Sequence, residues 1–375
     1  KVETPEMSGI ASLDIGGNLL VNGVGATGAR IALTSSAQAA EEVVAVSVNN
    51  WLATTSDRAT GIDLELANAD RTGAVMLAIG DEEATEAGLF VDGANATGAR
   101  VNSVSESGAT GSVGAKVAGS MFVSGADAKG LAFHSAAGLA TNQTVSTTSS
   151  LSTSSGEHVA LMLEGDSDRD STSESGGLAL ALKGDLTVTG ENTVGVDSQL
   201  ESKTGAIASS QLALDGGMAV EGAGAIGINL VTHATGNIGQ TDVAIGDKLT
   251  AKGMDASGFM LSQISGGHLG AVNAAVDGAL WAEGEFATGM SLAGSGVRGV
   301  ERLSVSIAGS APDENSDTAT EKLGLVASGS EASALVVIVD SAAGSIGSSD
   351  IIIDGAVAAI GSSASGLSAS YSADE

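Results

Sequence analysis

The 375-residue sequence predicts an all-β fold, a parallel β-solenoid (β-helix) of about eleven coils, with roughly 32 residues and three short strands in each coil. Three observations support this prediction: a small-residue motif that recurs at a steady interval, apolar/polar alternation on both sides of that motif, and a shortage of proline. The chain has only two prolines. Because proline cannot donate a hydrogen bond to a neighbouring strand, its scarcity is typical of a chain built from stacked strands.

The repeated motif is G-x-x-A-x-G, and we call its three small residues the opening, middle and closing positions. Seven copies keep all three residues: Gly23/Ala26/Gly28, Gly93/Ala96/Gly98, Gly125/Ala128/Gly130, Gly222/Ala225/Gly227, Gly253/Ala256/Gly258, Gly284/Ala287/Gly289 and Gly361/Ala364/Gly366. Four looser copies fill the gaps: Ser56/Ala59/Gly61, Leu151/Ser154/Gly156, Gly190/Thr193/Gly195 and Gly329/Ala332/Ala334. The closing position returns about every 32 residues, which predicts one motif in every coil.

Apolar residues precede the motif at a fixed distance. The residue four places before the opening position is apolar in ten copies: Leu19, Leu52, Leu89, Met121, Leu186, Met218, Leu249, Leu280, Leu325 and Val357. In the remaining copy, with Leu151 at the opening position, this residue is Thr147. Stacked coils would turn the ten residues into a core ladder, each member contributing roughly 2 kcal/mol by burial.

Apolar and polar residues alternate on both sides of the motif, as in strands that bury one face. We therefore predict that the motif is a corner between two strands. Its glycines would adopt the positive φ that a sharp bend needs, and its alanine would be small enough to lie inside.

A third strand completes each repeat. It often begins with T-G-x-[I/V], as at 72–75 and 235–238, and ends with alternating apolar residues before a glycine, as at 212–216. Helical periodicity is almost absent, and its best candidate, 37–48, is equally compatible with a strand. One repeat is therefore predicted to run strand, corner, strand, turn, strand, turn.

We expect a single solenoid domain over 1–375, with an N-terminal tail at 1–8. Two polar segments, 164–177 and 310–321, fall where the spacing between successive motifs is longest. We interpret both segments as loops that project from the rod.

Composition restricts the partners. The chain carries 45 acidic and 15 basic residues, a formal net charge of −30. Such a surface repels nucleic acid and anionic lipid, so we expect no nucleic-acid partner. The longest apolar runs are only as long as strands, so we also expect no membrane insertion. It also repels copies of itself, and divalent cations between rods would favour bundling. Cysteine is absent, which is compatible with an extracellular or cell-surface location.

The sequence offers one weak candidate for a metal site. Asp166, Asp168 and Asp170 form D-x-D-x-D, a pattern whose oxygens can bind calcium. A loop of the EF-hand type would need glycine and glutamate where Ser171 and Gly177 stand, and the alternative is a solvated acidic loop. We expect no other cofactor.

Catalytic residues are not evident. The four histidines, His134, His158, His233 and His268, occupy different phases of the repeat, so they predict no stacked cluster. Basic residues are scattered, and aromatic residues make up only 2% of the chain. We therefore expect no enzymatic activity.

The two extremities of the sequence suggest self-assembly. The segment 8–15 is similar to the third strand of a repeat, whereas 367–371 is the second strand of the last one. The end of one copy would supply the part of a repeat that the beginning of the next copy lacks. We therefore hypothesise that copies stack head to tail into a homopolymer, because such a contact need not form a closed ring. The alternatives are frayed termini, or a segment 1–7 that folds over one end.

The repeat pattern resembles extracellular bacterial β-solenoids such as adhesins and autotransporter passenger stalks. The stretch Gly227-Ile228-Asn229-Leu230 through Gly236-Asn237-Ile238-Gly239-Gln240 is also similar to repeats of biofilm functional-amyloid fibre subunits. These resemblances imply a secreted structural protein that forms a surface or matrix filament. The alternatives are a monomeric adhesin or passenger stalk that binds a ligand through its loops, and a polysaccharide-active β-helix enzyme.

Overall fold

The computed structural model describes residues 2–3, 10–35, 43–68, 72–80, 88–105, 110, 112–137, 142–147, 151–154, 158–167, 178–203, 205–309 and 323–373. The predicted fold class is confirmed. Within these residues thirty-four strands and no helix occur, and the strands form three parallel sheets of twelve, eleven and eleven members.

Sheet A contains one short first strand and the strands that follow the corners: β1 (Val2–Glu3), β4 (Thr27–Ser35), β7 (Thr60–Asn68), β10 (Thr97–Ser105), β13 (Ala128–Ala137), β16 (His158–Ser167), β19 (Val194–Ser202), β22 (Ile226–Ala234), β25 (Ser257–Ser265), β28 (Thr288–Gly296), β31 (Ser333–Ser341) and β34 (Ser365–Ala373).

Sheet B contains the third strand of each repeat: β2 (Ile10–Ile15), β5 (Val43–Val48), β8 (Ala74–Ile79), β11 (Ser112–Val117), β14 (Asn142–Thr147), β17 (Leu178–Lys183), β20 (Ser210–Asp215), β23 (Thr241–Ile245), β26 (Leu269–Val276), β29 (Val300–Ile307) and β32 (Ile346–Ile353).

Sheet C contains the strands that lead into the corners: β3 (Leu19–Val21), β6 (Trp51–Thr54), β9 (Gly88–Asp92), β12 (Ser120–Ser124), β15 (Leu151–Ser154), β18 (Leu186–Thr189), β21 (Met218–Glu221), β24 (Leu249–Lys252), β27 (Leu280–Glu283), β30 (Leu323–Ser328) and β33 (Ala356–Ile360).

Each coil passes through sheet B, sheet C, the corner and sheet A in that order. Equivalent strands of successive coils pair in parallel, so β21 lies between β18 and β24, and β22 lies between β19 and β25. This pairing places equivalent residues of successive coils above one another. The hydrogen bonds between coils therefore run along the length of the rod.

The core lies between the three sheets. In β17, the sequence LALALK alternates buried and less buried residues, with Leu178, Leu180 and Leu182 inside. Because successive side chains of a strand face opposite sides, this period of two decides which residues are buried. The same alternation recurs from coil to coil, and one apolar cluster extends from Leu33 to Val339.

Two predicted segment boundaries differ from the structure. β1 lies inside the predicted tail 1–8 and pairs with the end of β4. β16 continues to Ser167, so the predicted loop 164–177 begins as strand, because these residues still pair with β19. Residues 168–177 and the predicted loop 310–321 lie outside the described residues.

The start of the third strand varies between coils. Ile238 makes only isolated parallel bridges, to Ile207 and Leu269, and β23 begins later, at Thr241. The T-G-x-I pattern therefore precedes the strand in this coil instead of opening it. In the segment 37–48, the last six residues form β5. The described part of the chain contains no apolar helix long enough to span a membrane.

The prediction for the fifth corner is wrong. The motif search places Leu151 at the opening position, but Leu151 pairs with Met121 and Leu186, which are both core-ladder residues. The corner therefore lies further along the chain, and Thr147 ends β14 instead of joining the ladder. The serine- and threonine-rich run 146–155 contains no glycine, so no glycine in this run could show where the motif begins.

Candidate functional site

The core ladder is one continuous column in sheet C. Its ten residues and Leu151 hold the same register position in successive strands. The ladder residues of the inner coils whose burial is described are at most 2% exposed, whereas Val357, in the last described coil, is 51% exposed. Each ladder residue is thus buried by its neighbours in the coils before and after it.

The opening position holds glycine because the backbone there has a positive φ. The angle lies between 111° and 151° at eight opening glycines: Gly93, Gly125, Gly190, Gly222, Gly253, Gly284, Gly329 and Gly361. L side chains are strained at these angles, so this part of the corner prediction agrees with the backbone. Gly23, in the first corner, is an exception without a positive φ.

The closing position requires glycine for a different reason. It is the second residue of most sheet A strands, although Gly130 is the third residue of β13, and no closing glycine of the described corners has a positive φ. A Cβ added to Gly289 would lie 2.6 Å from the carbonyl oxygen of Ala334 in the next coil, and would also meet the Leu280 side chain. Close stacking excludes a side chain here, which corrects the prediction that both glycines serve the bend. The same restriction holds at Gly28, Gly61, Gly98, Gly195, Gly227 and Gly258.

The middle alanine lies inside the corner. Its side chain has no exposed surface in seven of the predicted copies: Ala59, Ala96, Ala128, Ala225, Ala256, Ala287 and Ala332. Ala26 and Ala364, in the first and last corners, are partly exposed. The N–H of Ala96 donates to the carbonyl oxygen of Gly93 at 3.2 Å, which closes a tight turn. Among the predicted closing glycines, Gly130 and Gly366 are also buried.

Sequence analysis missed a further constraint, at the residue two places after the opening position, which we call the third position. Among the described corners, its φ lies between 53° and 59° in the eight where it is not glycine: Arg58, Asn95, Asp127, Asn192, Asp255, Phe286, Glu331 and Ser363. Asparagine and aspartate tolerate this left-handed region better than other L residues do. Four of the eight are Asn or Asp, and this enrichment was a readable signal.

The coil formed by β32, β33 and β34 presents core positions to solvent. Val357, Leu367 and Tyr371 are 51%, 39% and 43% exposed, yet the residues that pair with them in the preceding coil, Leu325, Leu335 and Val339, are at most 3% exposed. Ile351 and Ile353 of the same coil are only partly buried. We call this apolar surface the end face.

The first described coil has a matching surface. Leu13, Ile15 and Leu19 are only partly buried against the core, and so are Ala29 and Ile31 of β4. These residues occupy core positions of sheets B, C and A. We call this surface the start face.

The outer surface of sheet A carries an ion-pair ladder across neighbouring coils. The Asp63 side chain is 4% exposed and lies between Arg30 and Arg100, whose Nε atoms are 3.5 and 2.9 Å from its oxygens. A second carboxylate, that of Glu65, accepts from Arg30 at 2.6 Å. The hydrogen bond to Asp63 raises the pKa of Arg100 above its ordinary value, although burial opposes the shift. Two guanidinium groups thus stabilise one buried carboxylate.

The candidate metal and histidine residues do not form a site among the described residues. Asp166 lies in β16, where its side chain is not described, and Asp168 and Asp170 lie outside the described residues. The column of His134 passes through Glu164 to Gln199, whereas His233 pairs with Glu201. The two histidines therefore stand in different columns. Within the described ranges no three His, Asp or Glu side chains are placed to hold a metal ion.

Comparisons of the chain with protein-family models, with curated proteins and with solved structures return no match.

Proposed function

We propose that this chain is a structural, non-enzymatic rod that assembles head to tail with copies of itself into a filament. The observation that supports this function is the end face, where side chains in core-ladder positions are exposed to solvent. Burial of each large apolar side chain stabilises a contact by about 1.5–3 kcal/mol. A further coil of the same geometry is the surface that matches such a face.

The start face provides that geometry. If the register of sheet A continued across a junction, β34 of one copy would pair with β4 of the next. Leu367 would then lie over Ala29, and Ala369 over Ile31, because each pair shares one column of the ladder. A large residue opposes a small one at both places, which allows close packing without overlap.

β1 currently occupies part of the edge that this junction needs. It contributes only two residues, which pair with Leu33 and Thr34 of β4. β34 has nine residues and could pair along most of β4. Assembly would therefore exchange a two-residue strand for a nine-residue strand. This exchange gains backbone hydrogen bonds as well as apolar contacts.

The location and biological setting of the filament are part of the same proposal. The absence of cysteine and the charge of −30 suit a soluble rod at the cell surface or in a matrix. The resemblance to adhesin stalks and biofilm fibre subunits supports this setting. Divalent cations between the acidic rods would assist lateral bundling.

The test is the assembly state of the purified 375-residue chain, measured by sedimentation velocity and negative-stain electron microscopy in 0.15 M salt, which screens the charge. We expect filaments with an axial repeat of about 50 Å, eleven coil spacings. Leu367→Lys, which places a charge on the end face, should leave monomers. Ile352→Lys is the matched control, because Ile352 is exposed on the outer surface of the same coil.

A chain lacking residues 1–9 should assemble faster, because the edge of β4 no longer carries β1. Uniform short particles of the unmodified chain at high concentration would overturn the proposal. Assembly of Leu367→Lys at the unmodified rate would do the same.

A further inference from the structure

A cleft of about 250 Å³ lies on the outer surface of sheet A, where β10 and β13 pair. Its lining includes six residues with outward positions: Glu65, Arg100, Asn102, Lys129, Ala132 and His134. The cleft is separate from the end face and from the start face.

The cleft exists because a long side chain in one coil is followed by a short one at the same register position of the next coil. Arg100 pairs in register with Ala132, so a long guanidinium side chain is followed by a single methyl group in the next coil. The methyl group of Ala132 forms part of the floor. Lys129 lies on the same strand as Ala132, and Asn102 and His134 stand in the adjacent column.

The cleft is less acidic than the rest of the molecule, because two cations and one carboxylate, that of Glu65, line it. Arg100 and Lys129 are both cationic, whereas the whole chain has a net charge of −30. Asp63 binds the Nε of Arg100, but the Arg100 side chain remains 51% exposed, so its guanidinium is accessible to a solute. Clustered cations in a concave surface attract anionic groups.

The cleft also contains a buried acceptor. Asn102 Oδ1 is buried and has no hydrogen-bond partner among the described residues. Burying such an acceptor without a partner costs about 1–3 kcal/mol, so a group that donates to it would be favoured. Glu65, a second acceptor, lines the same cleft.

We infer that this cleft binds a sugar that carries a carboxylate, such as a uronate, and this inference is independent of filament formation. The carboxylate binds Arg100 and Lys129, and the sugar hydroxyls donate to Asn102 and Glu65. A simple inorganic anion satisfies the cations but leaves the buried Asn102 Oδ1 without a donor. A neutral sugar satisfies the acceptors but offers no negative charge to Lys129 or to the exposed part of the Arg100 guanidinium. The volume is below that of pockets for drug-sized ligands, which suits a single ring.

Saturation-transfer NMR tests the inference on the full chain with three probes: D-glucuronate, D-glucose and inorganic phosphate. Glucuronate should bind most tightly of the three. Arg100→Gln should weaken glucuronate binding about tenfold or more, because a charge-assisted pair is lost. Ala132→Leu should abolish binding by filling the floor of the cleft. Arg302→Gln is the matched control, because it removes an exposed arginine from sheet B and should change nothing.

Circular dichroism reports whether each variant is folded, and Lys129→Gln replaces Ala132→Leu if the latter does not fold. Equal binding of phosphate and glucuronate would overturn the assignment to a sugar. Absence of glucuronate binding, or binding that survives both cleft variants unchanged, would overturn the site itself.

Discussion

Two positions of one corner are both restricted, but by different parts of the molecule. At Gly289, the closing position, the restriction comes from the next coil, because a Cβ would meet the carbonyl oxygen of Ala334. At Phe286, the third position, it comes from the residue's own backbone, whose φ is 57°. The first restriction exists only when coils are stacked, and the second is present in an isolated corner. Glycine is therefore kept at the closing position of most corners, with Ala334 as an exception, whereas the third position accepts several residue types at a local cost.

The largest effect should come from the side chain that the closing glycine accommodates. Leu280 is fully buried, and it is the side chain that a Cβ at Gly289 would meet. We expect Leu280→Ala to lower the free energy of unfolding by about 3 kcal/mol, because it leaves a cavity in the core ladder. Urea denaturation measures the change. Leu20→Ala, on the exposed outer surface of sheet C, should change it by less than about 0.5 kcal/mol, and equal losses would contradict the ladder.

A methyl group at the closing position should have the next largest effect. We expect Gly289→Ala to cost about 2 kcal/mol, because the added atom overlaps the next coil. In a Leu280→Ala background the cost should fall, since part of the overlap is with Leu280. A double-mutant cycle by urea denaturation measures this coupling. Strict additivity would show that Leu280 and Gly289 do not share the space.

The smallest effect should be a stabilisation. Phe286 is exposed and has a positive φ, so Phe286→Asn should raise the free energy of unfolding by about 0.5–1 kcal/mol. Thermal denaturation detects the change. Asn95→Phe, at the equivalent position of another corner, should lower stability by a similar amount. A gain from both substitutions would show that the backbone angle does not decide stability there.

Regular features of the fold were predictable because they repeat. The ladder from Leu19 to Val357 could be recognised from one fixed spacing, since stacking requires the same residue type in the same place. The fifth corner was misplaced because His158, which pairs with Ala128, stands where the other corners have their small middle residue, and Ala160 stands where they have their closing glycine. The reason for the closing glycine could not be predicted, because it depends on the distance between backbones of different coils.

The outer-surface features were not predictable in the same way. The cleft depends on Arg100 and Ala132 being neighbours across two coils, and Asp63 is buried by Arg30 and Arg100 from the coils on either side of it. These columns follow from the exact register, which a motif search does not provide. The residue types in these columns also change from coil to coil, so no recurring sequence pattern identifies them.

The alignment of every coil with its neighbours has a consequence for how this molecule can change its size. Removal or duplication of one whole repeat, such as 226–256, would keep all the columns in line, because each corner and each strand would again meet its equivalent. Partial repeats would break the alignment. The length of the rod would therefore change in steps of one strand spacing, about 4.8 Å.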